Sequence, residues 1–264
     1  MPDVGLYGRL TRLAARVAKD VGDAIVVDDV AIVTQKKGRA NFATRADHSA
    51  EQAILRRLAR ATPDVPVFAE ESASADVPAG ALWVVDPIDG TLNFSRSIPF
   101  YCIAIGYVEA RRTRAAAIYA PRTRELFVAS EGAGATLNGS PISVAEPRSL
   151  EDCFVVQSLP YRGTTRRDST FVAMNRISAR QRVIGSAALE ICYVAAGRFD
   201  LFIHGSLSPW DIAGAWLIAH EAGATIADRD TGRAGDAFTR RVVIGHPKVV
   251  KEALSRVPEL TKKK

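Results

Sequence analysis

The sequence predicts a layered α/β fold, in which helices and sheets alternate and a β-meander occupies the middle. Three observations carry this. Leu6, Leu10, Leu13, Val17 and Val21 recur at the spacing of one helix face. Residues 101–109, 115–119 and 125–129 are β-rich runs separated by turns. Beyond Cys153, helical and strand patterns alternate, as in chains that stack helices on sheets.

Taken in order, the first helix is the Leu6–Val21 stripe. Gln35-Lys36-Lys37-Gly38-Arg39 is polar and holds a glycine, so it reads as a loop or hairpin. A second helix runs from about Asp47 to Ala61, with Ala50, Ile54 and Leu58 inward; Pro63 and Pro66 break it. A short strand over 65–69 stops at Glu70-Glu71. Leu82-Trp83-Val84-Val85 is apolar and partly β-branched, a buried strand ending at Asp86-Pro87. Turns are expected at 111–114 and 121–123. Asn138-Gly139 signals a tight hairpin, because both residue types tolerate positive φ. A strand resumes over 153–157, a helix follows near 171–178, and another strand covers 182–184. Ser186 caps a helix over 187–196 that Gly197 ends. After a strand over 199–203, Ser208 and Pro209 open a helix to about Ala222, and Gly223 closes it. Residues 225–227 and 242–244 are short strands.

A chain of 264 residues can bury its own core without disulfides or structural metals. Its three cysteines, Cys102, Cys153 and Cys192, are widely spaced in apolar surroundings, which points to buried thiols in a reducing compartment. No apolar run approaches the length of about 18 residues that a membrane span needs. Met1-Pro2-Asp3-Val4 does not begin a basic-then-apolar secretory signal. A cytoplasmic protein is expected. The net charge of +6 permits a nucleic acid, an anionic membrane or a phosphorylated small molecule as partner. The basic residues lie in short clusters such as Lys36-Lys37, Arg166-Arg167 and Lys262-Lys263-Lys264, without interleaved aromatics. They read as solvated charge, so neither a nucleic-acid nor a membrane partner is expected.

The chemistry concentrates in carboxylates. Asp86 follows a buried strand, at a sheet edge where ligand sites form. Pro87 stiffens the next turn and Gly90 permits a sharp reversal, so Asp86, Asp89 and the Ile88 carbonyl can converge. Hard divalent cations favour such oxygens. An ordinary turn accounts for Asp, Pro and Gly equally well on composition alone.

The companions of this stretch decide between them. Trp83-Val84-Val85-Asp86-Pro87-Ile88-Asp89-Gly90-Thr91-Leu92-Asn93-Phe94 resembles the signature of the inositol monophosphatase family. Pro209-Trp210-Asp211-Ile212-Ala213-Gly214 with Glu221-Ala222-Gly223 resembles its second signature. Ala69-Glu70-Glu71-Ser72, Thr44-Arg45-Ala46-Asp47 with Glu51, and Gly185-Ser186-Ala187-Ala188-Leu189 with Gly197 and Asp200 are similar to three more. Their order and spacing match over roughly residues 10–245.

The resemblance implies an αβαβα sandwich of the sugar-phosphatase type. It implies one domain over 1–264, with an N-terminal α+β half to about residue 145 and a C-terminal α/β half from about 146. It also implies a homodimer and inhibition by lithium. Glu70, Asp86, Asp89 and the Ile88 carbonyl would ligate one Mg²⁺, and Asp86, Asp89 and Asp211 a second; a third, weaker ion would sit near Glu70. Asp47 and Thr91 would polarise the attacking water, and Gly90 and Thr91 would offer backbone N–H groups to phosphate. Ser186, Ala187, His204 and Asp211 would meet the substrate, a small phosphorylated sugar or polyol.

Plainer roles stand beside these. Asp211 also suits a capping box with Ser208, and Asp47 can cap its helix. Glu71 suits a supporting contact, Trp83 and Trp210 suit packing, and Lys36 and Lys37 suit plain surface charge, although the resemblance places there a loop over the metals from which a lysine can reach phosphate. In the family, an acid lies seven residues before the second-signature aspartate; here it is His204, which can carry charge near neutral pH. That histidine departs from the inositol-phosphate enzymes at a substrate-contacting position. By the resemblance as a whole, myo-inositol 1-phosphate still ranks first among substrates, histidinol phosphate or fructose 1,6-bisphosphate next, and 3′-phosphoadenosine 5′-phosphate last, because Leu92-Asn93-Phe94 stands where enzymes of that last kind carry Lys-Glu-Phe. An inactive binding or regulatory member is the non-enzyme alternative.

Overall fold

Two sheets separate three helical layers in the computed structural model, which describes residues 4–28, 33–38, 41–73, 77–157 and 169–261. Helix α1 (Val4–Asp28), the hairpin β1 (Val33–Gly38) and β2 (Asn41–Thr44), and helix α2 (Arg45–Ala61) come first. The seven-stranded sheet follows in sequence order: β3 (Val67–Ala69), β4 (Leu82–Asp89), β5 (Cys102–Glu109), β6 (Arg112–Ala120), β7 (Glu125–Ser130), β8 (Ala135–Leu137) and β9 (Ser140–Pro141). A single helical turn, α3 (Thr91–Phe94), sits between β4 and β5. The remaining strands and α-helices are β10 (Phe154–Gln157), α4 (Ser169–Ile177), β11 (Arg180–Arg182), α5 (Ala187–Ala195), β12 (Leu201–His204), α6 (Pro209–Glu221), β13 (Thr225–Asp228), β14 (Val242–Gly245) and α7 (Pro247–Arg256), with short 3₁₀ turns at Leu150–Asp152 and Pro258–Leu260. The five-stranded sheet runs β11-β10-β12-β14-β13, parallel at its first two pairings and antiparallel at the last two.

The layers follow from which side chains each strand faces. On β5 and β6, Ile103, Ile105, Ala115, Ala117 and Tyr119 pack against α1 and α2, while Cys102, Ala104, Ala116 and Ile118 pack against α5 and α6. Both sheet faces are covered, so these strands read as continuous apolar runs and not as alternation. The second sheet covers the other side of α5 and α6, and α4 and α7 close its outer face. The order is αβαβα, as the resemblance implied. Ile212 to Ala219 are all buried because α6 is enclosed between sheets. A Cβ built on Gly106 would lie 3.0 Å from the Gly214 Cα, so only glycine lets α6 approach β5 this closely.

Several expected boundaries shift. The strand expected to stop at Asp86-Pro87 continues to Asp89 through a bulge. The turn expected over 111–114 is tighter: Ala110 and Arg111 take positive φ of 49° and 62°, and pairing resumes at Arg112. Neither is a residue that advertises such a turn. The strand expected over 182–184 lies at Arg180–Arg182, leaving Ile184 and Gly185 as a turn. Helix α7 was not anticipated. The Asn138-Gly139 hairpin has the expected positive φ at both residues. Gln35–Gly38 forms the first strand of a hairpin. The side chains of Lys36 and Lys37, residues 166 and 167, and residues 262–264 lie outside the described residues. All three cysteines are buried and free. Among the described residues, no helix is long and apolar enough to cross a membrane.

Candidate active site

The bulge in β4 builds the site. Residues three apart on a regular strand face opposite sides. Here Asp86 pairs with Ala104 and Asp89 with Cys102, so three steps on β4 match two on β5. The extra residue falls where Pro87 has no N–H to give to the ladder. Ala104 and Cys102 share the face toward α5 and α6. The bulge therefore turns both carboxylates to that side, while Ile88 stays buried against the first helical layer. The Ile88 N–H donates to Asp86 Oδ1 at 3.0 Å, and its carbonyl accepts from Thr91 Oγ1 at 3.0 Å.

Asp211 arrives from the opposite layer, in the first turn of α6. Its Oδ2 accepts from the Ser208 N–H at 2.7 Å, so the capping role is real. It also joins the cluster: one carboxylate oxygen from each of Asp86, Asp89 and Asp211 lies within 4.8 Å of the others. Glu70 is not part of this trio. It follows β3, with its N–H on the Val85 carbonyl at 3.2 Å, and its charge acts on Asp86 more strongly than that of Asp89 or Asp211.

Burial holds the Asp86 carboxyl well above its ordinary range, and repulsion from Glu70, Asp89 and Asp211 adds to this. Asp211 is raised chiefly by burial and then by Asp89, against a lowering pull from Arg240. Asp89 is raised by burial, less strongly, because four donors oppose it. Ser186 Oγ donates at 2.6 Å and Ala188 N–H at 2.8 Å to Oδ2, Ala187 N–H at 3.2 Å to Oδ1, and the Cys102 thiol sits 3.7 Å from Oδ2. Clustered buried carboxylates need protons or a cation. An all-oxygen donor set fits a hard divalent cation such as Mg²⁺.

A measurable consequence follows for the metal-free protein. Folding raises the pKa of Asp86 and Asp211 above the unfolded value of about 3.9. The folded state then binds more protons, so stability falls as pH climbs from about 4 through the folded values. The melting temperature with chelator is expected to rise as the pH falls through the raised folded values toward about 4, and saturating Mg²⁺ should flatten that slope. Identical slopes with and without Mg²⁺ in calorimetry would contradict a metal at this cluster.

The other expected residues divide. Thr91 Oγ1 lies 2.9 Å from Asp47 Oδ1, joining α2 to α3 beside the cluster. Its one hydrogen serves either Asp47 or the Ile88 carbonyl at a time. Gly90 has φ 96°, and a Cβ there would meet the Ser186 Cβ at 3.1 Å. Ser186, expected to meet substrate, is buried behind Asp89 and holds it; Ala187 does the same through its N–H. His204 Nδ1 accepts from the Ser206 N–H at 3.0 Å, and its ring stacks on Phe202. Burial and then Arg229 push its pKa down to about 4. His204 is therefore neutral near pH 7, with Nε2 carrying the proton, which corrects the expectation of charge.

Supporting contacts account for much of the rest. Glu71 N–H donates to Glu51 Oε2 at 2.7 Å, and the Glu71 carboxylate lies 3.8 Å from His48. Asp200 takes the Phe154 N–H at 2.7 Å, a structural role. Trp83 donates to Thr62 in the core. Trp210 packs on Phe68 and lines an open pocket of ≈ 540 Å³ with Glu70, Phe238, Arg111 and Arg240. Asn93 escaped sequence reasoning: Nδ2 donates to Phe100 and Ile184 carbonyls at 2.8 and 2.9 Å. So did Glu190, buried in α5, which no spacing argument distinguishes from a surface acid.

Comparison with known proteins agrees with this geometry. The profile described as "Inositol monophosphatase family" matches residues 7–261. The fructose-1,6-bisphosphatase/inositol-1-monophosphatase of Thermotoga maritima is 35% identical over 233 residues, 86% of this chain and 88% of that protein. The Nus factor SuhB of Escherichia coli is 32% identical over 255 residues, 94% of this chain and 95% of that one. The SuhB structure from Bartonella henselae superposes with a TM-score of 0.86 at 29% identity, covering 97% and 100%. An IMPase/NADP phosphatase solved with Mg²⁺ and phosphate does so at 0.82 and 25%, covering 94% and 95%. The carboxylate cluster, the layer order and these matches agree: the chain belongs to the inositol monophosphatase family of phosphatases.

Proposed function

We propose that this protein hydrolyses a small sugar or polyol phosphate monoester, with myo-inositol 1-phosphate ranked first and histidinol phosphate or fructose 1,6-bisphosphate next. The convergence of Asp86, Asp89 and Asp211 beside the Asp47–Thr91 pair carries this reading. Those three aspartates would hold one Mg²⁺, and Glu70 and the Ile88 carbonyl would join Asp86 and Asp89 on another. When bound, the metal neutralises phosphate charge and lowers the pKa of a water. Asp47 accepts the Thr91 hydrogen bond, which leaves a hydroxyl lone pair to orient that water and lets Asp47 take its proton. Gly90 and Thr91 present backbone N–H groups to the phosphate at the start of α3. Asp211, with its Oδ2 held by Ser208, keeps Oδ1 for the site. The resemblance also supports a homodimer, lithium inhibition, a cytoplasmic location and a division into halves near residue 145.

His204 reads the leaving group in this scheme. A neutral imidazole with hydrogen on Nε2 donates to a substrate oxygen, whereas an acid accepts from a hydroxyl. His204→Glu is expected to raise kcat/KM for myo-inositol 1-phosphate relative to fructose 1,6-bisphosphate roughly fivefold, the worth of about one hydrogen bond. An unchanged ratio would remove His204 from substrate recognition.

A second reading has one observation behind it: the Escherichia coli relative is named a Nus factor and not a phosphatase. The expectation of no nucleic-acid partner gains no support from that relative. Phosphate release from a panel of the four phosphates above, with and without Mg²⁺, separates the readings. Metal-dependent release supports hydrolysis. Intact Mg²⁺ binding without release from any substrate supports a binding member.

A further inference from the structure

The turn at Ile184 and Gly185 is gripped from both sides. Asn93, two residues beyond Thr91, donates to the Ile184 carbonyl. Glu190, fully buried one turn into α5, accepts from the Ile184 and Gly185 N–H groups at 3.1 and 2.9 Å through Oε1. Its Oε2 is buried without a hydrogen-bond partner. A buried acid half-satisfied in this way is costly, and a leucine or alanine in α5 would pack without that cost. The next three residues after the turn, Ser186, Ala187 and Ala188, all donate to Asp89. Gly185 takes φ 94°, so the turn is not held by local preference alone.

We infer that Glu190 is a positioning residue: by fixing the Ile184–Gly185 turn, it aims the Ser186–Ala188 donors at Asp89 and so sets the affinity of the metal site. The inference rests on the metal-site reading above. Without Glu190, two N–H groups lose their acceptor and the turn relaxes. The donors on Asp89 then lengthen, and its carboxylate is free to rotate out of the trio. Partners that orient a metal-binding side chain from behind are typically worth about 10–100-fold in affinity.

The test is Mg²⁺ titration by calorimetry, which reads the site whether or not a substrate is known, together with melting temperature. Glu190→Ala is expected to weaken Mg²⁺ by about tenfold or more. Glu190→Gln keeps an acceptor oxygen for both N–H groups and should stay within about threefold of wild type. Met174→Ala, in the core cluster outside the second sheet, controls for lost stability alone and should leave Mg²⁺ affinity unchanged. Wild-type affinity in folded Glu190→Ala overturns the inference, as does an equal loss in Met174→Ala. If Glu190→Ala does not fold, Glu190→Asp decides: its shorter reach should weaken Mg²⁺, and unchanged affinity overturns the inference. No Mg²⁺ binding by the wild type itself would instead overturn the metal-site reading, and the Glu190 inference with it.

Discussion

Asp86→Asn is expected to cut Mg²⁺-dependent phosphate release by roughly a thousandfold, or about 4 kcal/mol of transition-state stabilisation. The pKa of Asp86 is raised by burial and by four acidic neighbours, Glu70, Asp89, Asp211 and Asp47. An amide of nearly the same shape removes the charge that a divalent ion needs and leaves the bulge intact. The metal-free variant should therefore melt higher than the metal-free wild type, since a repelling charge has gone, while losing the stabilisation that Mg²⁺ confers. Turnover and melting should move in opposite directions. A variant with wild-type turnover would remove Asp86 from the metal site; one that melts lower without metal would show that the charge is not a cost to the fold.

Gly106→Val has the second-largest expected effect, and it acts at a distance. Gly106 lies on β5, where the backbone of α6 passes within contact of its Cα; a Cβ would lie 3.0 Å from both Gly214 Cα and N. Neither atom is the end of a flexible side chain, so helix and sheet must separate. Overpacking of this kind costs about 3 kcal/mol, or roughly 6–12 °C in melting temperature for a chain of this size. Asp211 rides on the first turn of α6, so the displacement also moves it from Asp86 and Asp89. The folded variant should bind Mg²⁺ at least about tenfold more weakly. Loss of stability with unchanged Mg²⁺ affinity would show that Asp211 is positioned by its own loop and not by the β5–α6 contact.

The site's donor types were legible because they sit in short motifs whose residues are unusual together: Asp86-Pro87-Ile88-Asp89-Gly90 and Pro209-Trp210-Asp211. The β-meander was legible through its hairpin at Asn138-Gly139 and its apolar strands. The expected turn over 111–114 was legible but its place at Ala110 and Arg111 was not, because residues that disfavour positive φ adopt it when strong pairing on either side repays the strain. The trio of Asp86, Asp89 and Asp211 is the set that the resemblance implied for the second ion. Ser186 reads in sequence as a helix cap and, by resemblance, a substrate contact; the structure buries it against Asp89.

The sequence by itself determined the chemistry on offer, namely an acidic oxygen-donor set, the order of helices and strands, and the family. Those depend on residue identity and local spacing, which a linear chain displays. Only the tertiary structure decided which way the donors point. The bulge that puts Asp86 and Asp89 on one face depends on pairing with β5. Asp211 arrives on α6, from a layer remote in sequence that packs against β5 through Gly106 and Gly214. The neutrality of His204 depends on burial beside Arg229, and the grip of Glu190 on its turn depends on α5 lying between two sheets. Apart from the Glu190 grip, which spans only five and six residues, each is a relation between segments distant in sequence, set by packing and hydrogen bonding across layers.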